Sequence, residues 1–241
     1  MLENPAEQER IHDLTHFIAN LEWRVGESDF FQSLVQKLAE AAEVEYAFIG
    51  RLFEESDEKE IETIVLVSHG KIEKNVRYEL EGTPCETILS KAFCTHKYDV
   101  QKLFPADDLL VELDVVGYSG IPLWDHNSNP LGLIAVMTTE AIENVKFIET
   151  ILQTCAIRAS SEMLRLNWEQ DLRDSERQFR SIFEDSSIGM TIVDTDGRYL
   201  SANRSFCDFV GYSESEVLKL NVENLGGPDD EINASDLHQR F

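Results

Sequence analysis

Residues 142–185 form a long stretch without glycine or proline, and they constrain the fold more than any other segment of this chain. Apolar residues recur there every three or four positions, which is the spacing of one face of an α-helix. This apolar stripe consists of Val145, Ile148, Leu152, Cys155, Ala159, Met163 and Leu166. A helix of this length measures roughly 60 Å at 1.5 Å per residue.

The pattern breaks between Leu166 and Leu172, and it resumes through Phe179 and Phe183. The upper part of such a helix can pack on its own domain, whereas the lower part has nothing in the same chain to cover it. We therefore predict that residues 142–183 pair with a second copy as a parallel coiled coil, and that the seven stripe residues form the dimer face. The alternative is a long single helix whose lower half is polar.

The composition restricts the partners of the chain. Among 241 residues, 46 are acidic and 21 are basic, so the formal net charge is −25. Nucleic acids and anionic membrane surfaces bind clustered lysine and arginine, so neither is an expected partner. No apolar run reaches the roughly 18–20 residues that span a bilayer. The four cysteines form no Cys-x-x-Cys pair, which favours a reducing cytoplasm as the location.

The residues before the long helix are predicted to form an α+β domain, because helical spacing comes first and β-rich segments follow. The predicted elements are helices at 6–24 and 29–42, strands at 46–53, 61–68 and 75–80, a helix starting at Pro84, a short helix at 106–113, and a hairpin of strands at 118–125 and 131–139. The hairpin is the clearest of these, because residues 125–130 are a run of turn formers.

Four motifs in this region resemble the landmarks of GAF domains in bacterial signalling proteins. They are Gly82-Thr83-Pro84-Cys85, Phe104-Pro105-Ala106-Asp107, Tyr118-Ser119-Gly120-Ile121-Pro122-Leu123 and Pro130-Leu131-Gly132-Leu133-Ile134-Ala135-Val136. The resemblance covers about residues 28–165 and implies a GAF sensor domain with an antiparallel sheet flanked by helices. Residues 1–27 would then be a separate N-terminal helix, and 166–183 a helical linker.

The last part of the chain resembles the entry to a PAS domain. The motifs are Ser175-Glu176-x-x-Phe179-Arg180-x-x-Phe183-Glu184, Gly189-Met190, Asp196-Gly197, Asn203 and Phe206-Cys207-x-x-Val210-Gly211-Tyr212-Ser213. Strands are predicted at 189–194 and 198–202, with a tight turn at Asp196-Gly197 between them. Asn203 is predicted to cap the helix that follows, and Ser213-x-x-Glu216 to form a capping box. The resemblance implies a partial PAS-like α/β fold at 184–241, without the strands that close its sheet. GAF–PAS tandems usually precede histidine kinases of two-component systems or GGDEF-type cyclic-di-GMP enzymes, so such an output domain is expected beyond residue 241.

In the GAF fold, a ligand pocket lies between the sheet and the insertion at 83–115. The candidate wall residues are Phe48, Cys85, Tyr98, Phe104, Leu110, Tyr118 and Trp124. A cavity lined by aromatic side chains suits a small, partly apolar ligand. The alternative is that these side chains simply fill the core. In the PAS segment, the residues expected to face inward are Ile192, Phe206, Phe209 and Val210.

Cys85 has a second, chemical interpretation, because the first turn of a helix favours a thiolate, although Glu86 opposes this. GAF enzymes that reduce free methionine sulfoxide carry a further, attacking cysteine in the region matching about 108–116, and this chain has no thiol there. A bilin-attachment cysteine would fall in the same region, so Cys94 does not match one. No pattern indicates haem, flavin or a metal site.

The sequence therefore predicts a sensory region without catalytic residues of its own. Its GAF domain is expected to sense a small ligand and to relay the signal through the long helix to the PAS domain and an output domain. Two alternatives remain open at this stage. The GAF domain either only dimerises without a ligand, or acts as a thiol redox enzyme through Cys85.

Overall fold

A computed structural model describes residues 4–20, 27–55, 58–90 and 93–225. The parts of the predicted elements that fall on 1–3, 21–26, 56–57, 91–92 and 226–241 lie outside the described residues. The chain divides into two compact units, Met1–Asn167 and Trp168–Phe241. Both contain helices and antiparallel strands, which confirms the predicted α+β class.

The first unit contains a seven-stranded antiparallel sheet. Its strands are β1 Tyr46–Glu55, β2 Glu58–Ser68, β3 Lys71–Glu73, β4 Arg77–Glu79, β5 Cys94–His96, β6 Gly117–Trp124 and β7 Pro130–Thr138. Six of them follow the order β3-β2-β1-β7-β6-β5, and β4 pairs with β2. The predicted strand at 75–80 is thus the short strand β4, and the predicted hairpin is the β6–β7 pair.

The helices of the first unit lie before, within and after this sheet in the chain. They are α1 Pro5–Asn20, α2 Glu27–Ala42, α3 Pro84–Ser90, α4 Val100–Leu103, α5 Asp108–Glu112 and the first part of α6 Val145–Asp185. Helices α3, α4 and α5, together with β5, form the insertion between β4 and β6. Helix α1, which the sequence set apart as residues 1–27, contributes the fully buried Leu14 to the first unit's core.

The central strands of the sheet are buried on both faces. The side chains of each strand alternate between the two sides, so each strand contributes to both. In β7, Ile134 and Val136 pack with α1, α2 and α6, whereas Leu133, Ala135 and Met137 pack with the insertion. The sheet therefore separates two apolar cores. The first, which we call the helix core, contains the long helix. The second, which we call the insertion core, contains five of the predicted pocket residues.

Helix α6 is one element of 41 residues, so the predicted long helix is confirmed. It begins at Val145 rather than near 142, because the Asn144 side chain accepts a hydrogen bond from the Phe147 amide at 3.2 Å and caps the helix. Ile142 lies before the helix, and its amide donates to the carbonyl oxygen of Lys97. This cap fixes the point at which the chain leaves the sheet.

The predicted dimer face of α6 needs correction. Ile148, Leu152, Cys155, Ala159 and Met163 are buried in the helix core, and Val145 and Leu166 pack partly buried against it. Side chains that are covered by their own sheet and by α2 are not free to pack against a second chain. The stripe instead attaches the long helix to its own unit, so any dimer face on α6 must use other residues.

The second unit contains a two-stranded antiparallel sheet of β8 Thr191–Val193 and β9 Tyr199–Ala202, followed by helices α7 Arg204–Val210 and α8 Glu214–Val217. The predicted Asp196-Gly197 turn joins the strands, and Gly197 adopts the positive φ of 77° that this turn requires. Ser213 and Glu216 form the predicted capping box of α8. The predicted elements of this segment are therefore present up to residue 225.

Asn203 is the buried centre of the second unit's hydrogen bonding. Its Nδ2 donates to the carbonyl oxygens of Phe183 at 2.8 Å and Ile188 at 2.9 Å. Its Oδ1 accepts from the amides of Met190 at 2.8 Å and Phe206 at 2.9 Å, the second of which caps α7. One amide side chain thus connects the end of α6, the entry to β8 and the start of α7.

Replacing Asn203 tests this arrangement. We expect Asn203→Ala to destabilise the second unit by about 2–4 kcal/mol, since it removes a helix cap and leaves buried carbonyl and amide groups without partners. Amide exchange in residues 188–217 should become about 30–1000-fold faster, while exchange in the sheet of the first unit stays unchanged. Asn203→Asp keeps both acceptor bonds but cannot donate, so it should also accelerate exchange. Wild-type exchange rates in either variant would contradict this account.

Candidate ligand site of the first unit

The structure brings five of the seven predicted pocket residues into the insertion core. Phe48 and Tyr118 reach it from the sheet, Cys85 from α3 and Leu110 from α5, and all four are buried. Phe104 packs against them partly buried, with its ring edge-on to the ring of His96 at 5.2 Å between centroids. The predicted position between sheet and insertion therefore agrees with where these five side chains lie.

Two predicted wall residues lie elsewhere. Tyr98 is 63% exposed, because β5 ends at His96 and the chain turns outward through Asp99, which has a left-handed φ of 60°. Trp124 lines a different surface groove together with Ile121 and Ile157. The pairing of β6 with β7 shifts register between Leu123 and Trp124, and this bulge breaks the alternation on which the prediction for Trp124 depended.

Helix α3 lies close to the sheet because residue 120 is a glycine. A Cβ atom at Gly120 would overlap the Ile88 side chain of α3. The start of α3 is held by Glu86, whose carboxylate accepts a hydrogen bond from the Gly82 amide at 3.1 Å, and by Thr83, whose hydroxyl donates to the carbonyl oxygen of Leu80 at 2.7 Å. These contacts place Cys85, in the first turn, between the helix and the sheet.

Cys85 lies between two tyrosine hydroxyl groups. Its Sγ atom is 3.3 Å from the Tyr78 hydroxyl and 3.1 Å from the Tyr118 hydroxyl, and either atom of each pair can be the donor. This three-residue chain, which we call the Tyr–Cys–Tyr chain, joins strand β4, helix α3 and strand β6. Tyr78 is not among the pocket residues predicted from the sequence. It alternates with the charged Arg77 and Glu79, but strand β4 has only three residues, which is too short for a periodic signal.

The Tyr–Cys–Tyr chain is uncharged at neutral pH. Burial raises the pKa of the Cys85 thiol to about 11, even though hydrogen bonds from Tyr118 and Tyr78 act in the opposite direction. Burial likewise raises the pKa of both phenols well above their ordinary value of 10. A protonated, buried thiol is a poor nucleophile. The electrostatics therefore argue against the thiol redox interpretation of Cys85.

Tyr78 also lines a cavity of about 300 Å³. Its other lining residues come from β4, the start of α3 and the start of α5, and they are Val76, Glu79, Glu81, Thr83, Ala106, Asp107, Asp108 and Leu109. Asp107 caps α5, since its side chain accepts a hydrogen bond from the Leu110 amide at 3.4 Å. The Tyr–Cys–Tyr chain therefore runs from the wall of a cavity to the central part of the sheet.

The predicted PAS pocket is only partly assembled by the described residues. Phe206 and Val210 of α7 pack against the small buried cluster of Tyr199, Ala202 and Val217. Phe209 is 87% exposed. Ile192 is also exposed, next to a register shift between β8 and β9. The described residues leave both side chains uncovered, so their inward orientation stays a prediction.

The described residues contain no group of three or more histidine, cysteine, aspartate or glutamate side chains arranged to hold a metal ion. None of their helices is both long enough and apolar enough to cross a membrane.

Known proteins resemble this chain in part of its sequence and in its fold. Residues 177–240 match the family profile of the PAS domain. The chain is similar in structure to the GAF domain of an Acinetobacter phosphoenolpyruvate-protein phosphotransferase, with a TM-score of 0.52, 12% identity, and coverage of 70% of this chain and 99% of that one. It is also similar to the chromophore binding domain of Stigmatella aurantiaca phytochrome P1, with a TM-score of 0.50, 12% identity, and coverage of 67% and 61%.

Two curated relatives are signalling enzymes. The chain is 41% identical over 59 residues to the probable diguanylate cyclase DgcE of Escherichia coli (strain K12), and 34% identical over 59 residues to the sensor histidine kinase TmoS of Ectopseudomonas mendocina. Each match covers 24% of this chain, but only 5% of the first relative and 6% of the second. The chain thus combines a GAF fold with a PAS segment of the kind found in signalling proteins, as the motifs indicated.

The state of Cys85 can be tested by alkylation. We expect iodoacetamide at pH 7.5 to modify Cys85 at least about 100-fold more slowly in the folded protein than in urea, because a pKa raised from 9.0 to about 11 lowers the thiolate fraction by that factor. Peptide mass spectrometry after timed quenching measures the rate. Cys207, which is only partly buried, serves as the internal control. Equal rates at Cys85 and Cys207 in the folded protein would reopen the redox interpretation.

Proposed function

We propose that this chain is a sensory region in which the GAF-fold unit binds a small ligand and the long helix relays that event to the PAS segment. The observation that carries the proposal is the cavity of about 300 Å³ whose wall residue Tyr78 is hydrogen-bonded, through Cys85, to Tyr118 in the sheet. A ligand in this cavity would contact the first member of a chain of groups that reaches the sheet.

The route from the cavity to the helix uses the two faces of one strand. Tyr118 of β6 faces the insertion core, whereas Leu123 of the same strand packs in the helix core with Leu152 and Cys155 of α6. A ligand shifts such a system only if it binds two arrangements with different affinities. In this proposal the two arrangements differ in how β6 packs against α6.

The activity regulated by this region is proposed from the relatives. One is a probable diguanylate cyclase and the other is a sensor histidine kinase, so we propose that the whole protein carries one of these two activities. The chain described here acts as the sensor and not as the enzyme. A cytoplasmic location belongs to the same proposal, and four free cysteines are consistent with it.

We also propose that the chain forms a homodimer through the lower part of α6. Trp168, Leu172, Phe179 and Ile182 are more than half exposed there. Together with Ser175 they recur at intervals of four, three, four and three residues, which is the heptad spacing of a coiled-coil seam. This surface, which we call the lower seam, replaces the dimer face predicted from the sequence, because its apolar side chains are exposed whereas those of the predicted face are buried or partly buried.

A pair of charge variants tests the lower seam. We expect the double variant Leu172→Glu, Phe179→Glu to weaken self-association at least about 100-fold, because it places charges in a desolvated interface. The control Gln170→Glu, Ser181→Glu adds the same charge at exposed positions of the same helix outside the seam. Sedimentation equilibrium measures both. A wild-type chain that stays monomeric, or equal effects of the two variants, would exclude this interface.

Insertions in α6 test the relay in the full-length protein. One alanine inserted after Gln170 rotates the following residues by roughly 100°, whereas seven inserted residues restore the direction to within about 20°. We expect the single insertion to change the basal kinase or cyclase activity severalfold, and the seven-residue insertion to return it towards the wild-type value. If both insertions leave the activity at the wild-type level, α6 does not carry the signal.

The dimerisation module without a ligand remains the second candidate, and the lower seam is the observation that favours it. It differs from the sensor in one measurable respect. A dimerisation module keeps its stability in the presence of small molecules, whereas a ligand that binds only the folded sensor raises the melting temperature.

A further inference from the structure

We infer that the ligand of the proposed sensor site is a small organic cation with an apolar body, such as a primary amine on a short hydrocarbon. This inference rests on the proposed function, and it adds the chemical class of the ligand. It is argued from the cavity lined by Tyr78, which we call the Tyr78 cavity, and in particular from the charges and apolar groups that line it.

All charged side chains that line the Tyr78 cavity are acidic. Glu79 and Glu81 line it from the end of β4, and Asp107 and Asp108 line it from the start of α5. No lysine, arginine or histidine is among the lining residues. Within the described part of the chain, none of these four carboxylates takes part in a salt bridge with a basic side chain. A nucleotide or another anionic ligand would meet like charges on two sides of the cavity.

Asp107 is the carboxylate that would gain most from a cation. Its backbone partners are the amides of Leu110 and Leu109, and both stabilise the charged form. Burial acts more strongly in the opposite direction and raises the pKa of Asp107, with the neighbouring Asp108 adding to the effect. A partly desolvated carboxylate without a basic partner gains more from a bound ammonium group than a fully solvated one does.

The apolar residues that line the cavity indicate that the uncharged part of the ligand is a hydrocarbon. Val76, Ala106 and Leu109 offer aliphatic surface, and Tyr78 adds an aromatic side chain to the lining. The volume of about 300 Å³ is at the lower end of the range for small-molecule pockets. A bare metal ion fits this lining poorly, because the described residues hold no cluster of three metal-ligating side chains.

Matched probes of equal shape and different charge test the inference on the 241-residue chain. The set is 2-phenylethylamine, 2-phenylethanol and phenylacetate, with butylamine, butanol and butyrate as a shorter series and magnesium chloride as the inorganic cation. Isothermal titration calorimetry at 0.15 M salt measures binding, and this ionic strength screens the general attraction of a chain of charge −25 for cations. At least one amine should bind ten-fold or more tightly than its alcohol and its carboxylate.

Two variants separate the site from the overall charge. Asp107→Asn removes the charge but keeps the side-chain oxygen that caps α5, so folding is preserved. Glu112→Gln removes the same charge from an exposed position of α5 outside the cavity. Amine affinity should fall ten-fold or more in Asp107→Asn and stay within two-fold of wild type in Glu112→Gln.

Each other outcome overturns the inference. Tighter binding of an alcohol or a carboxylate would assign a different ligand class while leaving the sensor proposal standing. Binding of magnesium without any amine would assign an inorganic ion. Equal losses of amine affinity in both variants, or no amine binding in either series, would show that this cavity does not bind an organic cation. The α6 insertions test the relay separately, so failure of the ligand class and failure of the sensor are distinguishable.

Discussion

The first unit depends on one constraint, which is that its central strands have both faces buried. Strands β1 and β7 satisfy it by alternation, with one set of apolar side chains in the helix core and the other set in the insertion core. Each side must therefore be covered by separate elements, α1, α2 and α6 on one and the insertion on the other. This arrangement explains why the insertion core and the long helix lie on opposite faces of the same strands.

The elements could be predicted from the sequence because their signals are local. The uninterrupted stretch after residue 142, the turn-forming run at 125–130 and the capping box at Ser213 each depend on neighbours along the chain. Five of the predicted pocket residues lie in the insertion core, as the GAF resemblance implied, but their role in binding stays a prediction, since none of them lines the cavity beside Tyr78. Asn203 was recognised as a cap, but its bonds to Phe183 and Ile188 depend on how the chain folds back and could not be predicted.

The errors have a common origin in tertiary context. The stripe on α6 has the spacing of a dimer seam, but helical spacing shows only that one face is apolar and not what covers it. Trp124 follows a bulge, and Tyr98 lies beyond the end of β5 at His96. Tyr78 lies in a three-residue strand, too short to give a periodic signal. In each case a pairing partner distant in sequence decides where the side chain lies.

Because the three groups of the Tyr–Cys–Tyr chain are uncharged, the direction of their hydrogen bonds is not fixed. Each of its three groups has one hydrogen to donate, and both contacts allow either atom to be the donor. The hydrogens can therefore point towards the sheet or away from it. A molecule that accepts a hydrogen bond from Tyr78 would compete with Cys85 for the single hydrogen of that phenol, whereas a molecule that only donates to Tyr78 would leave this hydrogen to Cys85.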